Sequence, residues 1–392
     1  MRFTEQARTR TRTSPAPAIG SGASRIFRTS GGPNWSKTTA FTAVAPDYTD
    51  ARRGRNGAAT APTNATKAEA TMFKLATIEI KGAPRVALAL GDTLYDVESV
   101  AAAHTRKAGK AGKAPLASVP RPVTMLGLLE RWPAAFRDLQ RLATFVEAQP
   151  RAVPGVAAAR AKFRAPILYP PRIFTAGANY NAHSKEMTDI LRPGSPYTTR
   201  ENSNPYCFLT SSIGPVIGHR DKILASQVPD KKIDWEGELA VVIGRKGRAI
   251  RPEDARSYVA GYTIVNDVTA RSFVVPKRLD FKIDWLMGKC ADTFCPMGPY
   301  LVPDAFIEDP ERLSLKTTVN DQVMQDARTD DLTHNIGDLL AFLSQTMTLL
   351  PGDVLSTGTP SGVGFGRGVF LQPGDVVKVE IEGIGTLENP VA

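Results

Sequence analysis

The sequence predicts an α+β protein in which strands outnumber helices, and three observations support this. Short alternating strand patterns begin at Met72, residues 122–148 repeat apolar side chains at helical spacing, and short apolar segments between Gly and Pro turns follow Pro166. Hydrophobic residues make up 42% of the 392, as in an ordinary globular protein. We therefore expect a small domain over residues 72–165 and a larger, predominantly β domain over residues 166–392.

Composition argues against two classes of protein. No run of about 18 uncharged apolar residues occurs, so we expect no membrane-spanning helix. The net charge is +10, but residues 1–71 carry 11 basic and 4 acidic groups, which leaves only +3 for the rest of the chain and no basic surface for nucleic acid. Cysteines without CxxC spacing indicate a reducing compartment, and we expect a cytoplasmic protein. These cysteines are Cys207, Cys290 and Cys295.

The first 71 residues are rich in Arg, Ser, Thr, Ala, Gly and Pro and show no apolar period, which predicts a disordered basic extension. Because the alternating pattern MFKLATIEI begins abruptly at Met72, we favour upstream sequence added by start-codon choice. A mitochondrial transit segment is an alternative, since basic residues outnumber acids, although Pro and Gly interrupt any amphipathic helix. A third interpretation, a nucleic-acid-binding arm, requires that deleting this segment abolish the protein's activity.

The elements of the body follow from local patterns. Strand patterns joined at Lys81-Gly82 and followed by a turn at Gly91-Asp92 predict hairpins. Spacings of three and four predict a helix over residues 122–148. Its apolar positions are Met125, Leu128, Leu129, Trp132, Phe136 and Leu139. Residues 150–165, rich in Ala, Arg and Pro, predict a linker, and residues 336–350 predict another helix.

A group of acidic residues accompanies two buried strand patterns. The segment DWEGELAVVIG at residues 234–244 predicts a buried strand, so Glu236 and Glu238 should point to one side. A second apolar segment, residues 261–267, ends at Asp267. Paired carboxylates beside a core strand repel each other unless a cation or several donors neutralise them, and three oxygen ligands suit Mg²⁺ or Mn²⁺ rather than zinc. The alternative is that both glutamates face solvent and the aspartate caps a turn.

Several sequence blocks resemble one protein family. They are IDWEGELAVVIG at residues 233–244, GYTIVNDVTAR at 261–271, GK and DTFCPMGP within 288–299, and LPGDVLSTGTPSGVG at 350–364. In this order, over roughly residues 170–385, they resemble the fumarylacetoacetate hydrolase family. The resemblance implies a mixed β-roll as the C-terminal catalytic domain, a smaller N-terminal α/β domain, and a homodimer.

The resemblance also implies a divalent metal site. The ligands would be Glu236, Glu238 and Asp267, with Mg²⁺ the expected ion and Mn²⁺ or Ca²⁺ the alternatives. Such an ion chelates the adjacent oxygens of a small oxo-acid substrate and, as a Lewis acid, stabilises the enolate formed when a carbon–carbon bond breaks.

Residues 177–187, GANYNAHSKEM, resemble the active-site lid of the family. His183 and Glu186 are three residues apart and hence neighbours on one helical face, so the carboxylate can orient the imidazole and the pair can activate water. Lys289 matches a family lysine whose ammonium stabilises negative charge on a substrate oxygen. The alternatives are an ordinary surface pair and a solvated lysine.

Further residues match family positions that contact the substrate. These are Gly358, Thr359, Arg271 and Gln325. Gly-rich turns are common, so an ordinary turn is the alternative for the threonine. The chain also departs from the family, because Thr210 stands where many members have Lys and Ser272 where they have Asp. Because these changes remove charges near the pocket, they make the identity of the substrate less certain to follow the family, whereas the expected metal ligands are unchanged.

These features predict a metal-dependent hydrolase that cleaves a carbon–carbon bond in a small β-diketo acid of the acylpyruvate or fumarylacetoacetate type. His183 with Glu186 would deliver water to the remote carbonyl, while Lys289 would help to hold the enolate. The alternative within the family is an isomerase or decarboxylase of a 2-hydroxymuconate-type diacid in the degradation of aromatic compounds. Both reactions remain open because one fold hosts several chemistries.

Overall fold

The structure is a computed structural model that describes residues 71–109, 116–276 and 283–392. The disorder expected for residues 1–71 therefore concerns a segment that lies, except for Thr71, outside the described residues. The described residues all belong to one compact unit. No helix among them is long and apolar enough to cross a membrane.

The described part of the chain contains eighteen strands and eight α-helices. The strands are β1 Lys74–Ile80, β2 Ala83–Leu90, β3 Thr93–Asp96, β4 Val156–Ala157, β5 Phe163–Arg164, β6 Ile173–Ala176, β7 Cys207–Thr210, β8 Val216–Ile217, β9 Ile233–Asp234, β10 Gly237–Ile243, β11 Val259–Asn266, β12 Thr269–Ala270, β13 Cys295–Pro303, β14 Ser314–Val319, β15 Gln322–Arg328, β16 Val354–Ser356, β17 Val376–Ile381 and β18 Gly385–Pro390. The helices are α1 Val97–Gly109, α2 Met125–Leu129, α3 Ala134–Ala148, α4 Asn181–Leu191, α5 Arg271–Val274, α6 Trp285–Lys289, α7 Ile336–Thr346 and α8 Gly364–Arg367.

Most strands form one large mixed sheet with the order β4-β3-β2-β1-β13-β11-β10-β16-β6-β7, to which β5 adds at β1 and β8 at β13. A second, antiparallel sheet has the order β15-β14-β17-β18. The two sheets share an apolar core, because Leu239 and Val241 of β10 pack in the same cluster as Val379 and Ile381 of β17. This strand-rich α+β architecture confirms the predicted fold class.

The predicted hairpins are confirmed at the N-terminal end of the described chain. β1 and β2 pair with Ile80 opposite Ala83, and β2 and β3 pair with Leu90 opposite Thr93. Lys81-Gly82 joins the first pair with φ values of 51° and 80°. Positive φ at both central residues gives a two-residue turn the twist that the strands require, and glycine adopts it without strain.

Two predicted elements need correction. The helix predicted over residues 122–148 is divided into α2 and α3, because Pro133 between them has no backbone N–H to continue a helix. Residues 150–165, expected to be a linker, contribute β4, which pairs with β3 at one end of the large sheet, and β5, which pairs with β1. The helix expected within residues 336–350 is α7, which begins with a capping box formed by Asn335 and Asp338.

Candidate active site

Three buried carboxylates meet where two neighbouring strands pair. β10 and β11 are antiparallel with Gly237 opposite Asn266, so the adjacent residues Glu236, Glu238 and Asp267 come together. One oxygen from each lies within 4.8 Å of the others. Their exposed fractions are 6%, 0% and 1%. Strand register thus assembles the group that the sequence pattern predicted.

Two basic side chains face these carboxylates. Lys289 Nζ donates to Glu236 Oε2 at 2.5 Å, to Asp267 Oδ2 at 2.6 Å and to the Asp267 carbonyl at 3.1 Å, and Arg271 Nη2 lies 2.6 Å from Glu236 Oε1. Burial raises the pKa of Asp267 to about 6 against the pull of Lys289. Burial would also raise the pKa of Glu236, but both cations overcome it and lower that pKa to about 2. The carboxylates in turn hold the pKa of Lys289 above its ordinary value despite burial, so the side chain is an ammonium.

Asp234 is a buried carboxylate to which the sequence interpretation gave no role. It accepts hydrogen bonds from Arg271 Nε at 2.7 Å and from the backbone N–H groups of Trp235, Gly364 and Phe365 at 2.8, 2.6 and 2.8 Å. It therefore holds the guanidinium whose other end reaches the metal-ligand candidates. Its signal in the sequence is weak, because one acid beside a tryptophan also fits a surface strand.

Glu238 is the carboxylate with the least neutralisation. Its Oε2 accepts from Ser356 Oγ at 2.6 Å and from the Gly358 N–H at 2.8 Å, whereas Oε1 has no hydrogen-bond partner among the described residues. Burial, followed by the charges of Asp267 and Glu236, raises its pKa well above the ordinary value. An unpaired buried oxygen of this kind suits a cation. The Gly358 N–H, expected to contact substrate, is directed at this carboxylate instead.

The donor set fits a divalent cation both by type and by charge. Four buried carboxylates face two basic side chains, which leaves two negative charges uncompensated when all four are ionised. The six residues are Asp234, Glu236, Glu238, Asp267, Arg271 and Lys289. Buried charge is costly unless it is paired, and oxygen donors favour Mg²⁺ or Mn²⁺ over zinc. The three clustered carboxylates would hold such an ion.

Helix α4 brings His183 and Glu186 to the same region. The helix is anchored just before its start by Asn179, whose buried side chain donates to two backbone carbonyls at 2.9 and 2.8 Å. His183 Nδ1 lies 3.0 Å from Glu186 Oε2, the arrangement that the three-residue spacing predicts. The Gly362 N–H donates to Glu186 Oε1 at 3.2 Å. The carboxylate is therefore held in place from both sides.

The loop after β16 brings Thr359 to the cavity, with Gln325 behind it. Thr359 Oγ1 donates to the Gly237 carbonyl at 3.0 Å and accepts from Gln325 Nε2 at 2.8 Å. Gln325 Nε2 also donates to the Pro360 carbonyl at 2.8 Å, and its Oε1 accepts from the Gly237 N–H at 3.1 Å. Direct substrate contact by Gln325 stays a prediction, since these hydrogen bonds suit a residue that positions Thr359.

These groups open onto one cavity of about 570 Å³. We call the charged part of its lining the floor; it consists of Glu236, Glu238, Asp267, Arg271, Lys289, His183 and Thr359. Glu186, which contacts His183, is not among the lining residues. Apolar and aromatic side chains, among them Phe208 and Trp285, line the outer part. The volume is in the usual range for small-molecule sites.

A family model described as fumarylacetoacetate (FAA) hydrolase C-terminal matches residues 172–392, which include every residue of this site. The chain belongs to the fumarylacetoacetate hydrolase family. It is an enzyme of that family, and the resemblance inferred from the sequence blocks is confirmed.

Two relatives illustrate the similarity. Oxaloacetate tautomerase Fahd2a, mitochondrial, of Rattus norvegicus is 38% identical over 272 residues, which are 69% of this chain and 80% of that protein. Oxaloacetate tautomerase YisK of Bacillus subtilis (strain 168) is 42% identical over 233 residues, which are 59% of this chain and 73% of that protein.

Solved structures of family members share the fold. Fumarylacetoacetate hydrolase from Exiguobacterium antarcticum matches with a TM-score of 0.61 and 30% identity, over 81% of this chain and 99% of that chain. Maleylpyruvate hydrolase from Sphingobium sp. SYK-6, in complex with manganese(II) ion and pyruvate, matches with a TM-score of 0.57 and 27% identity, over 81% and 98%. Members of the family typically depend on a divalent metal, in agreement with the donor set found here.

Proposed function

We propose that the protein is a divalent-metal enzyme acting on 2-oxo acids, which stabilises the enol form of its substrate and moves a proton at the neighbouring carbon. The observation that supports this is the placement, around one cavity, of the undercompensated carboxylates, the Lys289 ammonium and the His183–Glu186 pair. A 2-oxo acid offers two adjacent oxygens to a hard cation and an acidic C–H beside its carbonyl.

Each part of the site has a separate role in this proposal. A divalent ion, with Mg²⁺ the proposed one, held by the three clustered carboxylates would supply Lewis-acid charge at the substrate oxygens. The three N–H groups of Lys289 are used by Glu236 and Asp267, so this ammonium acts on the substrate through its charge. Arg271 and Thr359 line the cavity and are the proposed partners of the substrate carboxylate, to which the threonine hydroxyl would donate in place of its hydrogen bond to the Gly237 carbonyl.

In the first form of the proposal, the reaction is keto–enol tautomerisation of oxaloacetate or a close analogue. With Nδ1 hydrogen-bonded to Glu186, His183 would use Nε2 to take a proton from the carbon beside the 2-oxo group and then return that proton to the substrate oxygen, which completes the enol and restores the neutral imidazole. No water is consumed. The names of the rat and Bacillus relatives support this form.

In the second form, the reaction is hydrolysis of a carbon–carbon bond in a β-diketo acid. His183 would remove a proton from a water molecule that adds to the remote carbonyl, and the bond next to that carbonyl would break to give an acid and an enol. The cavity has room for the acyl group and the water. The maleylpyruvate hydrolase structure supports this form, whereas a 2-hydroxyhepta-2,4-diene-1,7-dioate isomerase structure, 29% identical, supports a double-bond shift.

The test follows the ultraviolet bands of oxaloacetate enol, of acetylpyruvate and of a 2-hydroxymuconate-type diacid with the full chain and Mg²⁺, with and without EDTA. We expect metal-dependent change that His183→Ala slows at least about 100-fold, with Mn²⁺ binding retained. Lys185→Ala, on the exposed face of the same helix, is the matched control. Pyruvate release from acetylpyruvate would select hydrolysis. No metal-dependent change in any of the three compounds would overturn the proposal.

We also propose that the protein forms a homodimer. Several large apolar side chains stay exposed, among them Tyr169, Ile213 and Leu286, and exposed apolar surface is typical of interfaces. Light scattering should give twice the chain mass of 42.3 kDa, and a monodisperse particle of that single mass would contradict the proposal.

The cellular location also remains a proposal. The cysteine usage favours the cytoplasm, whereas the mitochondrial names of the vertebrate relatives favour import. Fluorescent fusions of the full chain and of residues 72–392 separate the two. Mitochondrial signal that requires residues 1–71 would establish a transit segment, and identical diffuse signal from both fusions would exclude it.

A further inference from the structure

We infer that the cavity takes, beyond the oxo-acid end of its substrate, a planar apolar group, so that the preferred substrate is a 2-oxo acid with an aryl or similarly planar substituent. This inference rests on the proposed 2-oxo acid chemistry and adds the distal group to it. Its basis is a set of aromatic side chains in the outer part of the cavity.

Three residues, Tyr206, Phe208 and Trp285, form what we call the aromatic wall. The rings of Phe208 and Trp285 are stacked, with centroids 4.3 Å apart and an interplanar angle of 6°. Trp285 Nε1 donates to Tyr206 Oη at 2.6 Å, which satisfies the polar edge of the indole. All three line the cavity. The surface offered to a ligand is therefore mainly aromatic ring.

The wall lies one helical turn from the charged floor. Trp285 and Lys289 are the first and last residues of α6, so they project from the same face, about 6 Å apart along the axis. The Asp284 side chain accepts from the Met287 N–H at 3.0 Å and fixes the start of this turn. A substrate whose oxo-acid end lies at the carboxylates therefore directs its distal carbons toward the wall.

The cavity is larger than a four-carbon acid requires. Its volume of about 570 Å³ lies well inside the range of about 300–1,000 Å³ found for sites that take drug-sized ligands, whereas a four-carbon oxo diacid has only about nine heavy atoms. With so small a substrate the wall would stay in contact with water, which is unfavourable for apolar surface. A planar apolar group replaces that water and can pack on the rings.

Basic side chains also reach the outer cavity, and they favour a different distal group. Arg192 and Lys232 line it and could attract a distal carboxylate. Both are exposed to solvent, so their attraction is weakened by water and salt. The apolar wall is therefore the stronger determinant.

The test uses three compounds that share the oxo-acid end and differ in the distal group, namely 2-oxobutanoate, 2-oxo-4-phenylbutanoate and 2-oxoglutarate. Calorimetric titration of the full chain with Mg²⁺ should show the phenyl compound binding at least about tenfold more tightly than 2-oxobutanoate. Phe208→Ala and, separately, Trp285→Leu should bring the ratio of the two affinities close to one. Leu209→Ala, at the next position of β7 where the side chain is 54% exposed, is the matched control and should keep it.

The outcomes separate this inference from the proposed function. Equal binding of 2-oxobutanoate and the phenyl compound overturns the aromatic subsite but leaves the oxo-acid site standing, as does a phenyl advantage that survives both wall substitutions. Tighter binding of 2-oxoglutarate than of the phenyl compound overturns it in favour of a distal carboxylate. If none of the three binds with Mg²⁺ present, the proposed function itself fails.

Discussion

The charged floor of the cavity and its aromatic wall differ in how firmly the fold holds them. The carboxylates of the floor are almost fully buried and take hydrogen bonds from strand ends, side chains and backbone N–H groups. In the wall, Tyr206 is 51% exposed and one hydrogen bond joins its hydroxyl to Trp285. The chemical groups therefore sit in buried surroundings held by many hydrogen bonds, with negative charge in excess, whereas the groups proposed to select the substrate are held mainly by ring packing.

One segment after β16 explains much of the rigidity of the floor. The N–H groups of Gly358, Gly362 and Gly364 donate to Glu238, Glu186 and Asp234 respectively. One metal-ligand candidate, the carboxylate that orients His183, and the carboxylate that holds Arg271, which we call the arginine clamp, are therefore tied to one short stretch of backbone. A change in any of them should affect the others.

The largest effect in the floor should come from Glu238→Gln. This substitution keeps the shape but removes the charge of the oxygen that lacks a partner among the described residues. We expect Mn²⁺ affinity to fall at least about 100-fold, measured by electron paramagnetic resonance or calorimetry, and turnover to be lost. Glu380→Gln, exposed on β17, is the control. Unchanged Mn²⁺ binding in the Glu238 variant would show that the floor is not the metal site.

Asp234, which holds Arg271 from outside the cavity lining, should matter mainly for stability. Asp234→Asn should lower the free energy of unfolding by about 3–5 kcal/mol, because the amide replaces a buried charge that accepts four hydrogen bonds and leaves Arg271 unpaired there. Arg271→Met should cost less, since Asp234 keeps three backbone N–H partners. Urea denaturation measures both. The reverse order would contradict the clamp described here.

A smaller, more specific effect is expected for Gln325→Ala. The substitution leaves the Gly237 N–H and the Thr359 hydroxyl without their amide partner, at a cost of about 1–3 kcal/mol in stability. If Gln325 only positions Thr359, KM for the oxo acid should rise several-fold and kcat should change less. Gln322→Ala, exposed at the start of β15, is the control. A fall in kcat with unchanged KM would contradict a positioning role.

The smallest effect should be found in the wall. Tyr206→Phe removes only the hydroxyl that accepts from Trp285, and water can replace it at this half-exposed position. The free energy of unfolding should change by less than about 0.5 kcal/mol. A loss as large as that expected for Asp234→Asn would show that the wall is held as rigidly as the floor and would end the distinction between them.

Local patterns in the sequence were sufficient for some of these features and insufficient for others. The turn at Lys81-Gly82 and the two-residue spacing of Glu236 and Glu238 act over a few residues, so their consequences could be predicted. The prediction of a single helix over residues 122–148 was wrong. The helical spacing of apolar residues continues across Pro133, but proline has no backbone N–H to donate and therefore interrupts the helix there.

The sequence by itself determined the strand-rich α+β class and the acidic residues able to hold a divalent cation, because alternation along a strand places side chains two residues apart on one face. Only the tertiary structure decided that Asp234 accepts from Gly364, 130 residues away, that Gln325 bonds to Thr359, and that Phe208 stacks on Trp285. Such contacts depend on strand register and on packing between distant segments, which no local pattern specifies.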